Sequence, residues 1–481
     1  MDYKNKKFEK TKAGLLLIAS PRFKNLGEGL SRGTYGDRKK GDVENITESL
    51  QESLDLVNPG IVYSREEMED AINLFFVGKV DFLIIEFLSW SEDFAWIRFL
   101  RDMPTIPMIF VNPMKGKMTF KNTINEDDFV DFLCSGTLVG SLEASGSIPR
   151  LGRKDIKIVM GTRDELLEEV LVFSRAAKVR SVLRQSTFGL LANYNPLMWS
   201  TYIDPFNLFT RVGPEMKFLA YTTLADEIAA VTDADVKSYQ DELTSIYRVG
   251  DDVDKNKFFE SVRASIGLAR IIEKNEIDAM VFNDLDPAMF KLIGLRPGFY
   301  HPSINKNKSV LVPEADTGAC VITFIMKILS EKQVNFIEPF HIEADDNTFA
   351  GGHAGPNDHN DPEYSGNVLI ARDVRFAKTN YKYAGAPFAW YRVPPGRKTM
   401  AHFSENNGLF KLVCTLVDSL EGNHILASYS HSIFKPLIPV KELFEKILKI
   451  GTTQHFAMVE GDYRKELSIL ADIMGFEFHC I

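Results

Sequence analysis

The run AGLLLIA, residues 13–19, decides how the rest of the chain is read. It follows a basic start, MDYKNKKFEKTK, and at a glance resembles the apolar core of a secretion signal. It is short for that role and no small-residue cleavage site follows, so it reads better as a first buried strand. No apolar stretch approaches the ~20 residues a membrane span needs, and a cytosolic protein is expected. Beyond it the pattern alternates. DVENITESLQESLDLV (42–57) reads as an amphipathic helix, GIVYS (60–64) as a strand and REEMEDAINLFFVGK (65–79) as a helix. VDFLIIEFL (80–88) and PMIFVN (107–112) are two more buried strands. Strands alternating with helices imply a parallel, doubly wound sheet, whose ligands sit at the carboxyl ends of its strands. GEGLSRG (27–33) departs from the dinucleotide fingerprint in its last glycine and its distance from the strand, so it reads as a loop without a nucleotide.

The same pattern returns further on, with a strand and long helix within 149–196, a strand TFGLLANY (187–194) and another, IDAMVFND (277–284). After a helix at 317–332 the character changes. VLIARDVRF, RKTMAHFS, LFKLVCTLVDSL and HILASYSH are short apolar runs between turn formers, which suggests a mostly antiparallel sheet or barrel. The expected architecture is α/β: two Rossmann-like doubly wound domains (1–160 and 161–310), then a β-rich, barrel-like domain (311–481).

A net charge of −10 in 481 residues gives no support for a nucleic-acid or anionic-membrane surface. The four cysteines (Cys134, Cys320, Cys414, Cys480) form no CxxC pair, so neither a disulfide framework nor a thiolate zinc site is expected. All nine histidines lie at or after His301, which confines any imidazole chemistry to the later part of the chain.

Three stretches could carry that chemistry. In VLVPEADTGAC (310–320) a strand ends at Pro313 and a helix begins near Gly318, with Glu314 and Asp316 between them. A carboxylate at such a junction can face a cleft and is stabilised by the helix N-terminus. Taken alone, the simpler reading is that Asp316 caps the helix and Glu314 is solvated. In NFIEPFHIEADDNTFAGGHAG (335–355), Glu338 stands in an apolar frame where burial needs a partner, and His353 follows two glycines that permit close approach. Glu343, Asp345 and Asp346 read as turn residues, and alternation puts His341 on the face opposite Glu338. In KIGTTQHFAMVEGDY (449–463), His455 opens a strand after a Gly-Thr-Thr turn. Two glutamates and two imidazoles together make a mixed oxygen–nitrogen site suited to Mn²⁺, Co²⁺ or a similar divalent ion. HExxH, Walker and GxSxG motifs are absent.

In this order the stretches resemble the L-fucose isomerase/L-arabinose isomerase superfamily. SGTLVGSLEASGSIPRLGRKDIKIVMG is similar to its exit from the first domain, and FGLLANYNPLMWSTYIDP to its turn after a second-domain strand. VPEADTGA resembles its CEADVxGA element, DNTFAGGHAG its DNTLVLGHCG, and TTQHFAMVEGDY its closing GxxHxxxVxGD. The resemblance implies two Rossmann-like domains and a barrel-like one, Mn²⁺ held by Glu314, Glu338, His353 and His455, and Glu314 and Glu338 as acid/base groups. It also implies a homo-oligomer, trimer-based and extending to a hexamer, with a small sugar as the only partner. The reaction would be aldose–ketose isomerisation of a pentose, deoxyhexose or modified sugar through an enediol(ate), one carboxylate moving the carbon proton and the other the hydroxyl proton. A metal-dependent epimerase and a non-catalytic sugar-binding paralogue are the alternatives, the second disfavoured because binding alone needs no acid/base pair. The chain departs from the family in GPNDHNDPEY after His353, in VPEAD for CEAD and in Pro339 after Glu338. Asp358, His359, Asn283 and Met198 are the candidate sugar contacts, and GPNDHNDPEY is expected to be a specificity or interface loop.

Overall fold

The structure, a computed structural model, describes residues 3–91, 93–117 and 125–481. The chain divides into two compact units, one of Phe8–Ser181 and one of Val182–Ile481 with the N-terminal stretch ending at Lys7.

In the first unit AGLLLIA falls within a strand, β1 (Lys12–Ile18), six of whose seven residues are buried. It is joined by β2 (Asp55–Val57), β3 (Ile61–Val62), β4 (Phe82–Phe87), β5 (Met108–Pro113) and β6 (Ile156–Gly161). All pairings are parallel, in the order β2-β1-β4-β5-β6, with β3 also on β1. The helices Arg65–Gly78 and Asp93–Asp102 bury Phe75, Trp96 and Phe99 against Leu83, Phe87 and Phe110, aromatic packing that supplies much of this core. The helix expected over 42–57 instead spans Tyr35–Gln51, where Thr34 and Asp37 form a reciprocal capping box, and the chain after it becomes β2. Periodicity marked the apolar face but not the cap, so the boundary shifted by about two turns.

The second unit opens with another parallel sheet. Its strands are β7 (Thr187–Leu191), β8 (Glu215–Leu219), β10 (Ala279–Phe282) and β11 (Val310–Val312), in the order β11-β10-β7-β8. The two-residue β9 (Arg248–Val249) instead joins a small sheet with β14 (Val368–Arg372) and β15 (Pro387–Tyr391). The other strands are β12 (Val334–Glu343), β13 (Thr348–His353), β16 (Gly396–Asn406), β17 (Leu409–Ser419), β18 (Ser430–Pro436), β19 (Phe456–Glu460) and β20 (Glu477–Cys480). Antiparallel pairing runs β16-β19-β12-β13-β18-β17, and β17 pairs back with β16, closing a ring of six strands. β20 adds to β17 in parallel. Closure leaves these six strands no unpaired edge, and Ile337, Phe349, Met400, Val417, Phe434 and Met458 bury part of the core there. HILASYSH proves largely irregular, since its strand starts only at Ser430. No helix among the described residues is long and apolar enough to cross a membrane.

Candidate metal centre

Glu314 reaches its position through an unusual piece of backbone. β11 stops at Val312, Pro313 follows, and both Glu314 (φ 62) and Ala315 (φ 55) are left-handed. Such conformations cost about 1–3 kcal/mol each in a residue with a side chain. Two hydrogen bonds hold them: the Glu314 N–H donates to Asp284 Oδ1 (2.9 Å) and the Ala315 N–H to the Phe282 carbonyl (3.1 Å). Asp284, fully buried at the end of β10, is gripped by Arg296 through Nε (2.5 Å) and Nη2 on the same oxygen. The carboxyl edge of the parallel sheet thereby aims one carboxylate outward, as this sheet class does with its ligands.

The imidazoles come from the rim of the ring, where the start of β19, the middle of β12 and the end of β13 lie side by side. His353 ends β13, and a Cβ at Gly352 would collide with the Ser430 carbonyl and His431, so the strands meet there only because the residue is glycine. His455 precedes β19 and is fully buried. Nδ1 of His455 donates to Asp316 Oδ2 (2.8 Å), and Nδ1 of His353 donates to the Ala354 carbonyl (2.6 Å). With acceptors at both Nδ1 atoms, each neutral ring carries its proton there and presents Nε2 as a lone pair. Those lone pairs face one carboxylate: His353 Nε2 is 3.5 Å from Glu314 Oε1 and His455 Nε2 is 3.6 Å from Glu314 Oε2. Phe336 packs against both rings, 4.5 Å from His353 and 4.6 Å from His455 between centroids.

One donor atom each from Glu314, His353 and His455 lies within 4.8 Å of the others. Donors sharing one first-row ion at about 2.1 Å sit roughly 3–4 Å apart, so the spacing fits a metal without large movement. Among the described residues, the buried Nε2 of His455 has no hydrogen-bond partner, a costly state unless something cationic occupies the space. The field agrees. Burial raises the Glu314 pKa, but an imidazolium form of His353, charged and hydrogen-bonded to it, together with His455 and Arg296 outweighs that and holds the carboxyl at about 2, so positive charge between the rings and Glu314 is favoured whether a proton or a metal ion carries it. Burial lowers the His455 pKa, but Asp316, Glu314 and Glu338 outweigh that and move it upward. Glu314, Asp316 and Glu338 all act on His455, while the charge of Arg296 is matched by Asp284, so the centre attracts positive charge.

Glu338 lies in β12, half-buried and close enough to act on His455, but it is not one of the three converging donors. Asn283 is buried beside Asp284, and its carbonyl accepts from the Tyr221 hydroxyl (3.0 Å). Met198 sits in the loop after β7, where its sulfur accepts from Gln454 Nε2 (2.9 Å), the neighbour of His455. Asp358 and His359 are buried and engaged with the protein. Asp358 accepts from Asn305 Nδ2 (2.8 Å) and lies 4.0 Å from Lys327 Nζ, while the His359 ring packs against Tyr247 at 5.4 Å. The first part of GPNDHNDPEY is interior, and only its later residues are exposed.

Four residues support the centre in roles that the sequence motifs do not show. Asp316 does cap the helix Thr317–Ser330, through Oδ1 and the Ala319 N–H (2.7 Å), but its other oxygen orients His455. Arg296 and Asp284 form the buried pair behind Glu314, and Arg296 Nη2 also donates to the Ala354 carbonyl (3.2 Å). His402 donates through Nδ1 to the His455 carbonyl (2.8 Å). The capping position of Asp316 was the one available signal. The chain matches no protein-family model and no curated protein, so the donor geometry carries the functional reading.

Proposed function

We propose that the chain is a metal-dependent aldose–ketose isomerase acting on a pentose, deoxyhexose or modified sugar, with Mn²⁺ or Co²⁺ held by Glu314, His353 and His455. The observation that carries this reading is the pair of imidazoles whose Nδ1 atoms are committed and whose Nε2 atoms converge on one ionised carboxylate. The ordered likeness of five sequence stretches to sugar isomerases supports it. A bound divalent ion would polarise the oxygens on the two carbons between which the proton moves. The protein supplies the rest. Glu314 stays ionised and Glu338, half-buried in the neighbouring strand, is free of the donor cluster, so the two carboxylates can divide the carbon and hydroxyl protons. Phe336 packs against both imidazole rings and covers one side of the pair with an apolar face.

Self-association is part of the same proposal. Leu197, Trp199 and Phe206 are 89, 77 and 73% exposed on the stretch that also carries Met198, an apolar surface next to the centre that a homo-oligomer would cover.

The test is metal content after chelation and reloading, followed by a panel of aldoses with Mn²⁺ in which ketose formation is measured. Failure to bind any divalent ion at neutral pH overturns the proposal. Stoichiometric metal without isomerisation of any sugar shifts it to the epimerase. Glu314→Gln is expected to lower turnover by about 10²–10⁴-fold with unchanged circular dichroism; full activity would remove Glu314 from its role.

A further inference from the structure

Away from the metal centre, β20 brings two of the four cysteines together. It lies parallel to β17 with the register Lys411↔Glu477, Leu412↔Phe478, Val413↔His479 and Cys414↔Cys480. Registered partners on neighbouring parallel strands project to the same face, with backbones about 4.7–4.9 Å apart. That separation lies inside the roughly 4.4–6.8 Å Cα span that a disulfide bridges. The strand end is pinned in this register. The Ile481 N–H donates to the Cys414 carbonyl (2.9 Å) and Thr415 Oγ1 to the Ile481 carbonyl (3.0 Å). The two thiols are unlike in access: Cys414 is 1% exposed, whereas Cys480 is on the surface.

The surroundings of the pair separate their chemistry. The hydrogen bond between the two sulfurs and the Arg464 guanidinium outweigh burial at Cys480 and bring its thiol down to about 6. The same hydrogen bond, with burial, pushes Cys414 up. Arg464 is itself steadied by Asp462, through Nε (3.0 Å) and Nη2 (2.8 Å). An exposed sulfur beside a cation, backed by a second thiol, is the arrangement of a peroxide-reactive cysteine with its resolving partner.

We propose that Cys480 and Cys414 are a reversible thiol modification site, in which Cys480 reacts with a peroxide and Cys414 resolves the product into an intrachain disulfide joining β20 to β17. In the first step the Cys480 thiolate attacks one oxygen of hydrogen peroxide. The S–O bond forms as the O–O bond breaks, the departing hydroxide takes a proton to become water, and Cys480 becomes a sulfenic acid. In the second step the Cys414 sulfur attacks the Cys480 sulfur. The S–S bond forms, the S–O bond breaks, and the leaving hydroxide takes the Cys414 proton as a second water. Two thiols and one peroxide thus give one disulfide and two waters, and an external thiol reverses the change.

The experiment treats the full-length protein with a small excess of hydrogen peroxide, blocks remaining thiols with an alkylating agent, and reads intact mass and peptide maps. The expected result is loss of two hydrogens per chain, a cross-linked Cys414–Cys480 peptide, and recovery of both thiols with dithiothreitol. Cys480→Ser, a change at the surface, loses the cross-link and leaves Cys414 reduced. Cys414→Ser leaves a sulfenic acid on Cys480 that dimedone captures. Wild-type protein with dimedone on Cys480 and Cys414 still open to alkylation overturns the proposal, as does a disulfide between two chains. The wild-type measurement decides the matter even if Cys414→Ser fails to fold.

Discussion

At Asp316 one carboxylate serves both backbone and chemistry. Oδ1 caps a helix and Oδ2 fixes the tautomer of His455. The two roles can be separated. Asp316→Asn can keep the cap, since asparagine is as good an N-cap as aspartate. Its amide would then donate to Nδ1, moving the imidazole proton to Nε2 and blocking the lone pair. Mn²⁺ affinity is expected to fall about 10–100-fold, the usual cost of losing a group that orients a ligand, while the melting temperature stays near wild type. Calorimetric titration against a thermal melt checks both halves. Of the four ligands expected from sequence, Glu314, His353 and His455 meet in one candidate cluster, each at a junction where a strand ends or begins, whereas Glu338 stays outside it. The bond from Asp316 to His455 was not legible in sequence, because it depends on how the helix start meets the strand β19. Arg296 and Asp284 were hidden for the same reason, each being an ordinary residue until the end of β10 is placed behind Glu314.

Among the elements, the segment from His353 to Asn360 shows how a glycine sets a turn. Gly355 has φ +103, and a Cβ there would lie 2.9 Å from Arg296 Nη2 and 3.1 Å from Asp284 Oδ2. That ion pair is buried and cannot retreat. Gly355→Ala is therefore expected to cost about 2–3 kcal/mol, combining backbone strain with the clash, and to weaken Mn²⁺ binding because Asp284 positions Glu314. A lower urea midpoint together with a weaker titration would bear this out; a change in stability alone would separate the turn from the site. The pattern of short apolar runs foretold the ring strands β16 and β17 well, since each is long and flanked by turn formers. It failed at HILASYSH, where four apolar residues in eight lie in a loop and the pairing of β18 with β13 and β17 starts later. Strand boundaries there follow from partners distant in sequence, which local composition does not record.

Across the whole molecule, acid sensitivity is expected to centre on the second unit. Burial, partly offset by Asp358, lowers the His359 pKa to about 4, and burial with Arg270 does the same to His301. Unfolded, each would titrate near about 6.5. A folded pKa below the unfolded one means the unfolded state binds more protons between the two values. Stability is then complete above about pH 6.5 and falls as the pH drops toward about 4, by about 3 kcal/mol for His359 alone. Urea melts near about pH 7 and about pH 4.5 should show the loss, and His359→Gln should shrink it; an unchanged difference would place the acid sensitivity elsewhere.

Every donor of the centre, and every group that orients one, belongs to the stretch Val182–Ile481. Occupancy of the candidate site by an ion would thus be linked to the unfolding equilibrium of that stretch and not to that of Phe8–Ser181. At about 100 times the dissociation constant, binding adds about 2.7 kcal/mol to whatever unfolds with the site. Scanning calorimetry with Mn²⁺ should move one endotherm upward and leave the other in place, and chelation should bring it back. Two endotherms rising together would mean that the halves melt as one body. An ion taken up at this candidate site would in that sense be a selective label, reporting where cooperativity in this chain begins and ends.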